Sequence, residues 1–345
     1  MRVLIVRLSA MGDLVQTLPA ITDAKSARPD IVFDWVVDES FADVPRMHPA
    51  VESVIPSAFK RYGRGWRKAF ASGEVQTFLR ELRGRRYDLV VDVQGEFKSA
   101  LAGLLARGSR AGYVGRDVHE WGAHLTYARR HRAAKGQHSL GRMRQLLASA
   151  LGYEFDPSII DYGIDRTRLP TIEIDLPRPY LVFIHSTSWT TKNWPVDHWR
   201  RLIASARNAG YTIVLPWGSE AERERSRDLA GDDQSVIVLP PMSIGQKASI
   251  ISHAAGTVGL DTGLSHIAAA LGVPSVTVYG ATDPALVGAL GENQVHVVPE
   301  FRCLYCHHET CRLDGIERAE PACLDTVSGA EVWDKLDKLL AVSAV

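Results

Sequence analysis

The 345-residue sequence lacks a long apolar run, and it lacks an excess of charge of either sign. No segment reaches the roughly 18 uninterrupted apolar residues that a membrane-spanning helix requires, so we expect no integral membrane anchor. Lys and Arg together number 40, as do Asp and Glu, which argues against a nucleic-acid-binding protein because phosphate contacts normally require a basic surface. The opening apolar run is too short for a signal peptide and leads into a turn with Gly12, which predicts a cytoplasmic protein.

Several common catalytic motifs are also missing. The sequence contains no Walker A loop, no GxGxxG fingerprint, no HExxH helix and no nucleophile elbow. ATP hydrolysis, redox chemistry and hydrolysis through a Ser triad therefore have no motif support.

The composition is that of an ordinary globular protein, with 46% hydrophobic and 23% charged residues. Single hydrophobic cores stop growing at roughly 250–300 residues, so we expect two domains. Short apolar runs alternate with amphipathic stretches, and continuous apolar runs are typical of parallel strands that helices cover on both faces. This pattern predicts an α/β fold.

The alternation is interrupted between about residues 152 and 178 by a stretch rich in Pro and Asp, which we interpret as a domain boundary. We predict two Rossmann-like, doubly wound domains that face a central cleft, residues 1–160 and 170–325. Residues 326–345 are expected to form a terminal helix that packs back on the first domain.

Ligands in doubly wound folds bind beyond the carboxyl ends of the strands, so the strand-to-helix turns are the candidate sites. In the first turn Asp13 lies at or beside a helix N-terminus. A carboxylate there either caps the helix and complements its dipole or acts as a general base.

Two turns of the second half combine hydroxyls with charged groups. Residues 185–195 form either a polar surface loop or a phosphate site, in which Lys192 would neutralise a leaving diphosphate. In residues 259–272, Asp261 ends a buried strand and His266 follows in the first turn of a helix. His266 is either a buried core histidine or part of an anion site with the free amides of that helix.

Longer stretches of the chain carry a resemblance to a known family. The most specific are MRVLIVRLSAMGDLVQTLPAITDA and LDTGLSHIAAALGVPSVTVYGATDP, and the similarity continues through YDLVVDVQGEFKSA, KGQHSLGRMRQLLASALGY, KNWPVDHWR and LPWGSEAERER. Over nearly its whole length the sequence resembles the lipopolysaccharide heptosyltransferase I family, a part of glycosyltransferase family nine.

The resemblance implies the GT-B fold and an inverting, metal-independent glycosyl transfer without a catalytic cofactor. It implies that the donor is ADP-activated L-glycero-D-manno-heptose, that the acceptor is the Kdo region of Kdo-lipid A, and that the enzyme makes peripheral contact with the cytoplasmic face of the inner membrane. Asp13 would deprotonate the Kdo hydroxyl as the general base.

On the donor side, the resemblance assigns the nucleotide sugar to the C-terminal domain. Thr187, Ser188 and Lys192 match positions that hold the diphosphate, and Lys192 also acts on the leaving group. Glu222 matches the acidic residue that binds ribose, and Met242 lies where the backbone meets adenine. The matching loop around the diphosphate and heptose consists of Asp261, Thr262, Gly263, Leu264 and His266.

Acceptor contacts are expected in the N-terminal domain. Residues 59–70, FKRYGRGWRKAF, interleave cations and aromatics in what we interpret as a basic loop, either solvated or binding Kdo carboxylates and lipid A phosphates. The candidate contacts are Lys60, Arg61, Arg64 and Lys98. This segment is two residues longer than in the family pattern, and His119 stands near a position where Arg is expected.

All four cysteines, Cys303, Cys306, Cys311 and Cys323, lie within the last 45 residues. A disulfide is not expected in a reducing cytosol, and the two-residue spacing of the first pair is that of a metal knuckle. Four thiolates complete a tetrahedral shell for a structural zinc or iron, with His307 and His308 as substitutes. We expect the ion to lie outside the chemistry.

Two alternative functions stay open at this point. One is a heptosyltransferase with another acceptor, either an inner-core heptose or protein hydroxyls, because similar cysteine patterns occur in those relatives. The other is a nucleotide-binding module without transfer activity, which would need the phosphate sites but no base at Asp13.

Overall fold

The structure, a computed structural model, describes residues 1–318 and 320–343, without the side chains of Lys60, Arg64 and Trp66. The chain divides into two compact units, Met1–Arg168 and Leu169–Val345. The division lies inside the Pro- and Asp-rich stretch that the sequence marks as a boundary.

The first unit contains a parallel sheet of six strands in the order β3-β2-β1-β4-β5-β6. The strands are β1 (Arg2–Val6), β2 (Val32–Asp38), β3 (Val51–Ser57), β4 (Leu89–Asp92), β5 (Ser109–Tyr113) and β6 (Arg129–His131). The central strands consist of buried aliphatic residues, because helices cover the sheet. These helices are α1 (Met11–Ala27), α2 (Asp43–Arg46), α3 (Phe59–Ala71), α4 (Glu74–Arg83), α5 (Phe97–Leu105) and α6 (Ser139–Leu151).

The second unit repeats this architecture with the strand order β12-β11-β10-β7-β8-β9. Its strands are β7 (Tyr180–Ile184), β8 (Thr212–Leu215), β9 (Val236–Val238), β10 (Gly256–Leu260), β11 (Ser275–Val278) and β12 (Gln294–Val297). The helices that follow them are α7 (Val196–Asn208), α8 (Glu220–Ala230), α9 (Ile244–Ser252), α10 (Gly263–Ala270) and α11 (Pro284–Val287). In both sheets the chain reverses its winding direction at the first strand, as in doubly wound folds.

The end of the chain belongs to the second unit. Helix α12 (Gly329–Ser343) packs against α7, β10 and β11, and its Leu336 is fully buried there. The described part of the segment 326–345, which was expected as a separate element, thus supplies part of the core of this unit. The packing of the segment on the first domain stays a prediction.

The segment interpreted as a basic loop is a helix, and that interpretation was wrong. Residues 59–70 lie in α3, which is kinked at Gly65. Phe59 packs edge to face on Phe78 of α4, with ring centroids 5.5 Å apart. The interleaving of cations and aromatics is therefore the pattern of an amphipathic helix whose aromatic side contacts its neighbour.

Candidate active site

The first candidate turn follows β1, where Asp13 lies in the first turn of α1. Its Oδ2 accepts a hydrogen bond from the Ala10 amide at 3.3 Å and lies 2.5 Å from Nη2 of Arg7. About a third of the Asp13 side chain is exposed. Asp13 therefore contacts the N-terminal end of the helix, as a cap does, and still presents its carboxylate to solvent beside a cation.

Arg7 was not singled out from the sequence, although it directly follows a buried strand. Its Nη1 donates to the Val93 carbonyl at 3.1 Å, and the Tyr113 hydroxyl donates to the same oxygen at 3.2 Å. Burial raises the pKa of Tyr113 to about 12, so its hydroxyl remains a donor at neutral pH. These bonds hold the guanidinium in the place where it orients Asp13.

The structure brings Lys98 and His119 onto neighbouring turns of this unit. Lys98 is exposed in the first turn of α5, and within residues 1–318 and 320–343 it forms no ion pair. His119 Nδ1 lies 3.5 Å from Glu96 Oε1, and the Glu120 amide donates to the Gly95 carbonyl. The two candidates for acceptor specificity therefore share one surface at the carboxyl end of the sheet.

Arg61 is engaged by acidic neighbours. Its guanidinium donates to both carboxylate oxygens of Glu39 at 3.1 Å and also pairs with Glu74. All three side chains are substantially exposed, so solvent weakens the pairs. The side chains of Lys60 and Arg64 lie outside the described part of the chain.

In the second unit, two turns that are 69 positions apart in sequence meet through an ion pair. Lys192 Nζ lies 2.7 Å from Asp261 Oδ2 and 4.5 Å from the centre of the Trp189 ring. Because β7 and β10 are neighbours in the sheet, the turns that follow them emerge side by side. The sequence predicted each turn separately, and the sheet order joins them.

Asp261 is a buried carboxylate that remains ionised. Burial alone would raise its pKa, but His266 and the charge of Lys192 outweigh burial and hold the pKa well below the usual range. Thr282, which the sequence analysis missed, donates to the same oxygen at 2.5 Å. The site therefore contains a fixed negative charge that holds the ammonium of Lys192 in position.

Helix α10 begins immediately after Asp261, with Thr262 as its N-cap in an extended conformation. Its first backbone hydrogen bonds run from the amides of Ser265 and His266 to the Thr262 carbonyl. The amides before them have no carbonyl partner within the helix and can therefore donate to an anion. Gly259 allows the helix to approach the sheet closely, since a Cβ there would lie 2.3 Å from Ser265 Oγ.

The hydroxyls of Thr187 and Ser188 form no hydrogen bond with any residue that the structure describes. The Thr187 amide donates to Asn193 Oδ1 at 3.2 Å, which fixes the turn from within. Asn193 is a further residue that the sequence analysis missed. Both hydroxyls can therefore donate to a ligand.

Glu222 and Met242 lie at the starts of α8 and α9. Glu222 Oε2 accepts from the amides of Gly218 at 2.5 Å and Ser219 at 3.3 Å, as part of a capping box. Met242 is half-buried and precedes Ser243, the N-cap of α9. Both residues thus lie at helix N-termini that follow strands of the same sheet.

The four cysteine thiols are neighbours in the second unit. Burial is the main cause that raises the pKa of the Cys323 thiol to about 11, and the nearby thiols of Cys303, Cys311 and Cys306 act in the same direction. Among residues 1–318 and 320–343, however, no three His, Cys, Asp or Glu side chains are arranged as a ready set of metal ligands.

The cysteine-rich segment also contacts the turn that carries Lys192. The Thr190 hydroxyl donates to the Glu309 carbonyl at 2.9 Å, and the Thr191 hydroxyl donates to the His308 carbonyl at 2.5 Å. These two bonds attach the segment between the first three cysteines to the donor-side turn.

Comparison with known proteins identifies the family. The sequence model of glycosyltransferase family 9 (heptosyltransferase) matches residues 75–317. The chain belongs to this family. The resemblance on which the sequence analysis relied is therefore confirmed, and the protein is a glycosyltransferase with the predicted α/β fold.

The similarity to curated members extends over nearly the whole chain. Lipopolysaccharide heptosyltransferase 1 of Pseudomonas aeruginosa is 41% identical over 99% of this chain and 98% of its own length. The protein of the same name from Escherichia coli K12 is 45% identical over 86% of this chain and 92% of its own length.

Solved structures agree with this relationship. Escherichia coli heptosyltransferase WaaC with ADP superposes with a TM-score of 0.84 at 40% identity, covering 98% of this chain and 100% of the other. The same enzyme with ADP-2-deoxy-2-fluoro heptose gives a TM-score of 0.81.

Proposed function

We propose that this enzyme transfers L-glycero-D-manno-heptose from ADP-heptose to the Kdo region of Kdo-lipid A in lipopolysaccharide inner-core biosynthesis. The observation that carries the proposal is the 41% identity to lipopolysaccharide heptosyltransferase 1 over 99% of the chain. The solved complexes of a 40% identical enzyme with ADP and with an ADP-heptose analogue support the donor.

In the proposed donor site, the diphosphate binds to the amides that open α10 and to the hydroxyls of Thr187 and Ser188. Gly263 and Leu264 supply such amides, with Thr262 as the N-cap before them. Lys192 neutralises the charge that develops on the departing diphosphate, which lowers the barrier because that charge is larger in the transition state than in the bound donor. Asp261 and His266 hold Lys192 ready for that role.

The nucleoside would lie farther along the same edge of the sheet. Glu222 is the proposed ribose-binding residue. Its Oε2 is occupied by backbone amides, whereas its Oε1 has no hydrogen bond with any described residue and can accept one from a ribose hydroxyl. The backbone at Met242 contacts adenine.

Asp13 is the proposed general base, which removes the proton from the attacking Kdo hydroxyl. The guanidinium of Arg7, 2.5 Å from Oδ2 of Asp13, orients the carboxylate. No catalytic metal enters this scheme. Lys98 and the α3 cations Lys60, Arg61 and Arg64 are the proposed contacts for the acidic acceptor.

We also propose peripheral contact with the cytoplasmic face of the inner membrane. No helix in the described residues is long and apolar enough to span a bilayer. Helix α5 nevertheless exposes Phe97, Leu101 and Leu104 at positions i, i+4 and i+7, which share one face. Trp121 and Leu125, 77% and 64% exposed, lie on the segment that packs beside α5.

Exposed cations occur on the same stretch of chain as these apolar side chains. Lys98 lies on α5 itself, and Arg129 and Arg130 are exposed shortly after Leu125. Exposed apolar side chains together with Lys and Arg suit the interface of a bilayer with anionic lipids. A lipid-linked acceptor gives such a surface a purpose.

For the cysteines we propose a structural zinc or iron. The support is the proximity of the four thiols around Cys323 and the tetrahedral, thiolate-rich shell that both metals accept. Metal binding would deprotonate the thiols and draw them together.

A product assay tests the proposed function. The enzyme is incubated with ADP-heptose and, separately, with Kdo-lipid A, heptosylated inner core and a protein acceptor, and the products are analysed by mass spectrometry. We expect one heptose to be added to Kdo-lipid A alone. Transfer only to heptosylated core or to protein would contradict the acceptor, and ADP binding without any transfer would reduce the protein to a nucleotide-binding module.

A further inference from the structure

Lys247 is a buried cation that the proposed chemistry does not use. It lies in the first turn of α9, five positions after Met242, and only 8% of the residue is exposed. Within residues 1–318 and 320–343 its ammonium has neither a hydrogen bond nor an ion pair. Long charged side chains are rarely buried to this degree without a partner.

Two effects disfavour a charged Lys247 in this position. Burial lowers the pKa of Lys247, and only the charge of Glu222 acts in the opposite direction. The N-terminal turn of a helix also disfavours a cation, because the helix dipole is positive there. A ligand that accepts a hydrogen bond from the ammonium would offset both costs.

Lys247 and Glu222 offer complementary groups at neighbouring helix starts. Glu222 Oε2 is occupied by the amides of Gly218 and Ser219, whereas its Oε1 forms no bond within the described residues. A carboxylate can only accept and an ammonium can only donate, while a hydroxyl group does both. A sugar hydroxyl between the two side chains would satisfy each of them.

We propose that Lys247 is a ribose-binding residue of the donor site. Its ammonium donates a hydrogen bond to a ribose hydroxyl, and the same hydroxyl donates a hydrogen bond to Glu222. This inference rests on the proposed function for the location of the nucleoside. It adds a contact that none of the proposed diphosphate or heptose contacts supplies. Lys247 thus contributes to recognition of a ribonucleotide as opposed to a deoxyribonucleotide.

The test is isothermal titration calorimetry of ADP, 2′-deoxy-ADP and 3′-deoxy-ADP with the wild-type enzyme and with Lys247→Met. Met has a similar length and no donor. We expect Lys247→Met to weaken ADP binding roughly tenfold, the size of a hydrogen bond to a charged group. The wild type should lose a similar factor with one of the two deoxy analogues, and the variant should lose that discrimination.

Two controls separate binding from folding. Lys335→Met removes a half-exposed lysine of α12 and should leave all three affinities unchanged. The melting temperature of ligand-free Lys247→Met should equal or exceed that of the wild type, because an apolar side chain costs less to bury. A lowered melting temperature with intact ribose discrimination would assign Lys247 a structural role and overturn the proposal.

Failure of this inference is distinguishable from failure of the proposed function. If the wild type transfers heptose from ADP-heptose while Lys247→Met keeps wild-type affinity and discrimination, only the ribose contact is wrong. If the enzyme instead binds another nucleoside diphosphate, the proposed donor is wrong. Ribose is common to all ribonucleotides, so the same deoxy comparison with that nucleotide still tests Lys247.

Discussion

Asp13 contacts the start of a helix and is also the proposed general base, two roles that its residue type alone does not distinguish. Its carboxylate accepts from the Ala10 amide at the start of α1 and pairs with Arg7, yet it remains partly exposed. A cap stabilises the helix by typically about 1 kcal/mol, whereas a general base contributes to the rate. The two contributions can therefore be measured separately.

We expect Asp13→Asn to lower turnover by about 10²–10⁴-fold, the usual contribution of a general base, while the affinity for ADP-heptose stays within about twofold. Asn keeps a side-chain oxygen that can accept from the Ala10 amide, so the melting temperature should fall only by the loss of the ion pair with Arg7. Steady-state kinetics and calorimetry measure the two effects. Asp30→Asn, on an exposed residue beyond the far end of α1, is the matched control, and near-normal turnover of Asp13→Asn would remove Asp13 from the mechanism.

The sequence was sufficient to predict residue types at strand ends but not their pairing. Lys192 and Asp261 were both predicted as site residues, yet their ion pair depends on β7 lying next to β10 in the sheet. Three residues of the site were missed: Arg7, Asn193 and Thr282. Arg7 does follow a buried strand, but the carbonyl that holds it belongs to Val93, far along the sequence. Thr282 contacts the distant Asp261, and Asn193 contacts Thr187 only because their turn is bent. Only the folded sheet reveals such partners.

At the scale of secondary structure, the buried strands and their helices followed directly from apolar runs. Strand β10, for example, ends at Leu260, directly before Asp261, the residue that the sequence analysis placed at the end of a buried strand. The kinked α3 was missed because its cations and two glycines suggest a loop. The antiparallel hairpin of β13 (Cys311–Leu313) and β14 (Ile316–Arg318) was also missed, although the Asp-Gly pair between its strands is a strong hairpin signal.

The contact between the cysteine segment and the Lys192 turn changes what we expect from metal removal. If an ion is bound, elemental analysis should find about one zinc or iron per chain, and stripping it should lower the melting temperature. The sequence alone suggested that the remaining folded protein would keep full activity. Because carbonyls of this segment accept from Thr190 and Thr191, we now expect weaker ADP binding as well.

A variant that leaves the cysteines intact isolates this contact. Thr191→Val removes only the hydroxyl that donates to His308, and it should weaken ADP binding several-fold without changing metal content. A purified protein that is metal-free, fully active and equally stable would refute the metal site. Metal loss that lowers stability but leaves ADP affinity unchanged would instead refute the link to the donor turn.

The apolar face of α5 provides a second test at this scale. Leu101→Glu should reduce binding to vesicles that contain anionic lipid by about tenfold or more, because a buried leucine contributes roughly 1.5–3 kcal/mol and the new carboxylate repels the surface. Val342→Glu, on α12 and 73% exposed, introduces the same charge elsewhere and should bind like the wild type. Co-sedimentation measures both, and equal binding of the two variants would exclude the α5 face as the membrane contact.

At the scale of the whole molecule, the two units share a strand order and also a buried, neutral histidine each. Burial lowers the pKa of His48 in the first unit to about 4, with opposing contributions from Asp161 and Arg168. In the second unit the pKa of His185 is lowered to about 3, mainly by burial and to a lesser extent by the charge of Arg225. Both rings are hydrogen-bonded as neutral groups, His48 to Thr22 and His185 to Ser226.

These histidines predict a loss of stability in mild acid. The unfolded chain takes up a proton near pH 6.5, whereas the folded units resist protonation until pH 3–4, so the stabilisation is complete above pH 6.5 and is lost as the pH falls below it. At pH 5 each of these two histidines should have removed about 2 kcal/mol of unfolding free energy relative to pH 7.5. Ordinary carboxylates, with pKa values near 4, contribute little in this window.

Urea unfolding between pH 7.5 and pH 5 measures this loss, and His185→Gln tests its origin. Gln stays neutral and can still hydrogen-bond Ser226, so the variant should lose about 2 kcal/mol less than the wild type on acidification. At pH 7.5 the variant should be less stable than the wild type. His253→Gln, on an exposed residue, is the control and should keep the wild-type slope. If His185→Gln also keeps that slope, the buried imidazole of the second unit is not the group that makes the fold sensitive to acid.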